Sequence, residues 1–297
     1  MPLDTKALMR QARRIRVMTS RHVNTTLSGE YHSAFKGRGI EFDEVRPYVT
    51  GDDIRTIDWN VTARTGHPYV KRFVEERELT VLFLVDISGS QCFGSGTRSK
   101  ADAAAEITCL LALSAIRNQD KIGLLLFSDR IEAWLPPRKG RTAVMRLVRE
   151  VLAAEQTRHG TDIAGALRFL NAVQKRRATV FLISDFMDRD YLKALRTTAR
   201  RHDLIGCPVS DPAERALARA GMLDVQDPES GQLAVLDTAS RRVRRRYRAA
   251  ASAEREALRA DLKRLRIDTL FLSTDRPFVD DIRKLFRARQ RRAARHC

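Results

Sequence analysis

The chain has 297 residues, 55 of them Lys or Arg and 37 Asp or Glu, for a formal charge of +18. Hydrophobic residues make up 43% and aromatic ones 6%, which predicts a mostly aliphatic core and excludes global disorder. No apolar run approaches the ~18 residues of a spanning helix. None of Cys92, Cys109, Cys207 and Cys297 lies in a CxxC pair or at ligand spacing from a His, which argues against a thiolate zinc site.

Residues 4–24 mix basic and apolar positions in the pattern of an amphipathic helix. Residues 27–78 are rich in Gly, β-branched and aromatic residues and read as short strands and turns. Within them Asp52, Asp53, Arg55, Asp58 and Trp59 crowd around GDDIRTIDW. They form either a docking face or, as the favoured reading, a salt-bridged small β-domain with Trp59 as its core. This segment and the helix before it form an expected first domain, 1–78.

From residue 79 strands and helices alternate. TVLFLVDIS is a continuous apolar run, as for a strand buried on both faces. A helix over 100–119 follows, then strands at 121–128 and 131–137, the latter ending at prolines and using Trp134 for edge packing. Two helices, TAVMRLVREVLAAE and TDIAGALRFLNAVQKR, lead to the strand 178–186, a helix at 190–201 and the strand 203–211. Residues 222–237 read as a hairpin insertion turning at PESG. A charged helix over 240–266, a strand at 268–274 and a basic helix close this second domain, 79–297. The alternation predicts an α/β, Rossmann-like fold with a mostly parallel sheet and helices on both faces.

Two buried strands end in aspartate, Asp86 after VLFLV and Asp185 after VFLIS. Ligands bind beyond the carboxyl ends of such strands, and a buried Asp needs a partner. Ser88 and Ser90 follow Asp86 at i+2 and i+4, and Thr161 precedes a helix, where Thr161 or Asp162 also suits an N-cap. Carboxylate and hydroxyl oxygens without His or Cys suit a hard divalent cation such as Mg²⁺. GSGTRSK at 94–100 superficially evokes a phosphate loop but lacks the GxxxxGK[ST] order. His159 is the nearest candidate base and reads as incidental.

These residues resemble the von Willebrand factor type A fold and its metal-ion-dependent adhesion site. Asp86, Ser88 and Ser90 match its DxSxS, Thr161 its threonine and Asp185 its distal aspartate. Over nearly the whole chain, GEYHSAFKGRGIEFDEVRPYVTGDDIRTIDWNVTAR, DLIGCPVSDPAER and LFLSTDRPF are similar to the bacterial domain-of-unknown-function 58 family. That resemblance implies a MoxR-type AAA+ ATPase partner and a client protein, in chaperone-like maturation or metal-cofactor insertion. Many family members carry membrane helices ahead of the signature, which this sequence does not show.

Three functions are therefore expected in competition. The first is a non-enzymatic, cation-dependent protein-binding module in the cytoplasm. The second is a Mg²⁺-dependent phosphohydrolase or nuclease. The third is nonspecific contact with nucleic acid or anionic lipid through RRVRRRYR at 241–248 and RKLFRARQRRAAR at 283–295, runs that also read as solvated helix faces.

Overall fold

The structure is a computed structural model that describes residues 31, 34–35, 41–74, 79–154, 160–226 and 231–294. The expected helix at 4–24, His159 and the PESG turn lie outside them.

Phe35–Leu79 forms a compact unit of its own. Strands β1 (Glu41–Pro47) and β2 (Tyr69–Val74) pair antiparallel, and helix α1 (Trp59–Thr65) lies between them in sequence. Three of the unit's acids have local tasks. Asp52 takes both terminal nitrogens of Arg46, at 2.8 and 2.6 Å. Asp53 caps the 3₁₀ turn Ile54–Thr56, and Asp58 caps α1 by accepting from the Asn60 and Val61 amides. Gly66, at φ 75°, ends α1 in the left-handed conformation that glycine adopts without strain. Trp59 is not the core of this unit. It stands on the first turn of α1 and is 66% exposed, because the Asp58 cap fixes where the helix starts and so which way that position faces.

From Thr80 onward the chain builds a second unit around a seven-stranded sheet. The strands are β3 (Thr80–Asp86), β4 (Lys121–Phe127), β5 (Ile131–Arg138), β6 (Thr179–Ser184), β7 (Asp203–Ser210), β10 (Asp268–Thr269) and β11 (Leu272–Ser273). Their order is β10-β7-β6-β3-β4-β5, with β11 also on β7. All pairs are parallel except β4–β5. β5 runs through Pro136 and Pro137 to Arg138, which an edge strand tolerates. The expected strand at 268–274 is two short pieces, β10 and β11.

Helices α2 (Lys100–Arg117), α3 (Arg141–Ala153), α4 (Ile163–Val173) and α5 (Leu192–Arg201) cover the sheet. Successive strand residues face opposite sides, so continuous burial along β3, β4 and β6 requires cover on both. On one face Leu82, Leu84, Leu125, Val180 and Leu182 join Ile163, Leu167 and Leu170 of α4 and Leu195 of α5. Opposite residues include Phe83 and Phe181, which stack at 5.6 Å between centroids. Trp134 packs edge-on against Phe169 at 5.9 Å, as an edge-strand packing residue should.

Beyond β7 lie a one-turn helix α6 (Pro212–Arg215) and an antiparallel hairpin of β8 (Met222–Gln226) and β9 (Leu233–Asp237). Helices α7 (Arg241–Arg264) and α8 (Val279–Ala294) follow. No helix among the described residues is long and apolar enough to cross a membrane.

Candidate cation site at the strand ends

β3 sits between β4 and β6, so the chain leaves it in opposite directions and opens a crevice at its carboxyl end. Asp86 ends β3 there, 1% exposed. Its Oδ1 accepts the Ser88 amide at 2.9 Å and its Oδ2 the Ser184 hydroxyl at 2.6 Å. Burial, then the charge of Asp185, pushes the Asp86 carboxyl up to about 6, against the pull of Ser184 and Ser88. The Ser88 and Ser90 hydroxyls, both buried, stand 3.2 Å apart.

Asp185 follows β6, its side chain 2% exposed. Phe186 immediately after it adopts a left-handed φ of 60°, which turns the chain sharply and buries the phenyl ring against Tyr191. Asp188, in the same loop, accepts the Ile163 amide at 2.8 Å, and the Asp162 amide donates to the Ser128 carbonyl at 2.8 Å. The half-buried Thr161 is thus carried on a segment tied to the Asp185 loop and to the β4–β5 turn. Asp162, not Thr161, is the cap of α4, accepting the Gly165 amide at 2.6 Å.

Sequence reading missed a buried cation of the chain's own. Lys100, 1% exposed, donates from Nζ to Asp185 Oδ2 at 2.7 Å and to Glu214 Oε1 at 2.6 Å. Burial pulls its pKa down, but Asp185 and Glu214 outweigh that and leave it raised. Glu214 is fixed in turn, its other oxygen accepting the Asp211 amide at 2.8 Å in a capping box.

GSGTRSK is the scaffold that delivers this lysine. The Ser95 amide and hydroxyl bond the buried Asp211 at 3.0 and 2.5 Å, and the Lys100 amide reaches the Phe93 carbonyl at 2.9 Å. A Cβ on Gly94 would lie 2.4 Å from the Arg98 carbonyl oxygen, so the loop closes only over glycine. Burial raises the Asp211 carboxyl, but donors from Ser95, Thr274 and Ala213 hold it below its ordinary value.

Among the described residues no three His, Cys, Asp or Glu side chains gather as a metal cluster. A cation here would rest on hydroxyls and two carboxylates. Neighbouring oxygens on an octahedral Mg²⁺ are about 3 Å apart, a spacing that the Ser88 and Ser90 hydroxyls meet. That one spacing suits a hard cation, while Asp185 is already paired with the buried Lys100.

A mostly parallel sheet of this order covered by helices defines a Rossmann-like α/β class. Residues 44–257 match the family model described as protein of unknown function DUF58, and the chain belongs to that family. An uncharacterised protein of Mycobacterium bovis is 30% identical over 296 residues, covering 98% of this chain and 92% of the relative. An uncharacterised protein of Mycobacterium tuberculosis matches to the same extent. Among solved structures, the conserved hypothetical protein BatB from Bacteroides thetaiotaomicron is 15% identical at a TM-score of 0.45, covering 72% of this chain and 99% of that one. The SpRpn10 VWA domain is 11% identical at a TM-score of 0.35, covering 69% and 94%.

Proposed function

We propose that the chain is a non-enzymatic, cation-dependent protein-binding module of the cytoplasm. Asp86, Ser88, Ser90, Thr161 and Asp185 hold a divalent cation, Mg²⁺ for preference, whose remaining position takes a carboxylate from a partner. The observation that carries this reading is the facing pair of Ser88 and Ser90 hydroxyls beside Asp86 at the switch point of the sheet. The bound cation would supply charge for a desolvated ionic contact, which is strong and directional. The protein's own part is positional: Ser184 and the Ser88 amide orient Asp86, and Lys100 orients Asp185. The family resemblance supplies the partners, a MoxR-type AAA+ ATPase and its client.

The test is binding of the purified chain to the MoxR-type ATPase of the same genome, in Mg²⁺ and in EDTA, with Asp86→Ala alongside. Affinity is expected to fall in EDTA and in the variant. Affinity unchanged by both overturns the cation dependence, and absence of any binding overturns the ATPase as partner.

A further inference from the structure

The first two turns of α7 carry charge that nothing in the fold answers. Arg241, Arg242, Arg245, Arg246 and Arg248 are exposed, and none makes an ion pair among the described residues. From Thr238 to Ala253 the sequence has no Asp or Glu. Asp237, just before, is taken by the Ala239 and Ser240 amides, at 2.9 and 3.3 Å. On a helix the five positions sweep about 160° of one side. The half-buried Val243, Tyr247 and Ala251 mark the other.

This placement is unfavourable by itself. Cations in the first turn of a helix meet the positive end of its dipole, and no acid stands there to offset them. Arg241 and Arg245, and Arg242 and Arg246, are like charges at i, i+4, which repel. The start of the helix is nevertheless held firmly. Arg244 donates to the Thr238 and Ala239 carbonyls, and the buried Thr238 hydroxyl donates to the Gly221 carbonyl at 2.6 Å. The arginine face is therefore fixed in position before any partner arrives.

We infer that this face of α7 binds the phosphate backbone of a nucleic-acid duplex. Five charges over eight residues, about 12 Å of helix axis, give one per about 2.4 Å. Duplex DNA presents one phosphate per about 1.7 Å, and the guanidinium fork matches phosphate oxygens. An anionic membrane fits less well. The exposed apolar residues of α7 are all alanines, whereas helices that lie in a membrane interface bury bulkier side chains. The exposed Met222 and Val235 of the β8–β9 hairpin stand cross-strand from Asp237 and Asp224, carboxylates that an anionic surface would repel. A single strand is held by stacking on aromatic rings, and Tyr247, the one aromatic residue of α7, lies on its half-buried side. The inference is independent of the cation, since none of these arginines belongs to its site.

The test is the anisotropy of a fluorescein-labelled duplex of about 20 base pairs, titrated with the full chain in EDTA over a range of salt concentrations. Log affinity against log salt is expected to fall with a slope of about −4 to −5, as for five phosphate contacts. In Arg241→Gln/Arg245→Gln/Arg248→Gln the slope should flatten to about −2 and affinity at about 50 mM salt should weaken at least about tenfold. Lys193→Gln/Arg196→Gln/Arg200→Gln removes the same charge from the exposed side of α5 and is expected to change affinity by less than about twofold. Equal loss in the two variants overturns the inference, because the net charge of +18 would then account for the binding. No binding up to about 100 μM duplex at that salt also overturns it. So does displacement of the duplex by phosphatidylserine vesicles, or by a single strand, at lower phosphate concentration than by unlabelled duplex.

Discussion

Neighbouring residues of α6 serve regions that treat charge in opposite ways. Glu214 belongs to a network in which Lys100 answers two carboxylates and every one of these side chains is at least four-fifths buried. Arg215 borders a partly open cluster in which Arg255 and Arg259 both lie over the Phe271 ring and make no ion pair among the described residues. The difference follows from solvent. A buried ion without a partner costs several kcal/mol, so the first region must be internally complete for the chain to fold. Half-exposed guanidiniums keep much of their hydration, so the second can remain without an ion pair.

The comparison breaks most visibly at Lys100. Lys100→Met leaves Asp185 and Glu214 buried without their cation and is expected to lose about 3–5 kcal/mol in urea unfolding. Adding Asp185→Asn and Glu214→Gln should restore most of that, because the uncompensated charges go with the lysine. Asp211→Ala, which strips acceptors from Ser95 and Thr274, is expected to cost about 1–3 kcal/mol by the same measurement. Arg255→Gln/Arg259→Gln should move stability by less than about 1 kcal/mol, the mark of charges on which the fold does not depend. A large loss there would erase the distinction between the two regions.

The smallest effect concerns a third way of holding a titratable group, as a neutral one. His202, buried at the junction of α5 and β7, has no hydrogen-bond partner on either ring nitrogen among the described residues. Burial, then Arg201 and Arg177, lowers its pKa. The unfolded chain therefore takes up the proton first as pH falls. The stability this residue contributes is present above about pH 6.5 and is lost as pH drops through the lower folded value. His202→Leu should flatten that part of the pH profile, and an unchanged profile would show that the ring is already hydrated.

Much of the fold was legible because burial on both faces leaves a plain mark. VLFLV, KIGLLLF and TVFLIS are continuous apolar runs, and no other local pattern explains them at that length. Asp86, Ser88 and Ser90 were legible as a short motif at a strand end, although β3 stops at Asp86 and Ser90 sits in a 3₁₀ turn, Gly89–Cys92, and not on an extended segment. Lys100 was not. It stands 85 residues from Asp185 and 114 from Glu214, and nothing local distinguishes it from the other basic residues at a helix start. Trp59 misled for the converse reason: its hydrophobicity says that burial is favourable but not which way α1 points.

The sequence by itself determined the strands, their aspartate ends and the excess of arginine, since these are properties of composition and short-range periodicity. Only the tertiary structure decided which charges meet. It closed Lys100 onto two acids through the Ser95–Asp211 tether, and it set two arginines of one helix over a single phenylalanine without an ion pair among the described residues. Electrostatic partnership depends on distance in space and on exclusion of water, and the order of residues along the chain encodes neither directly.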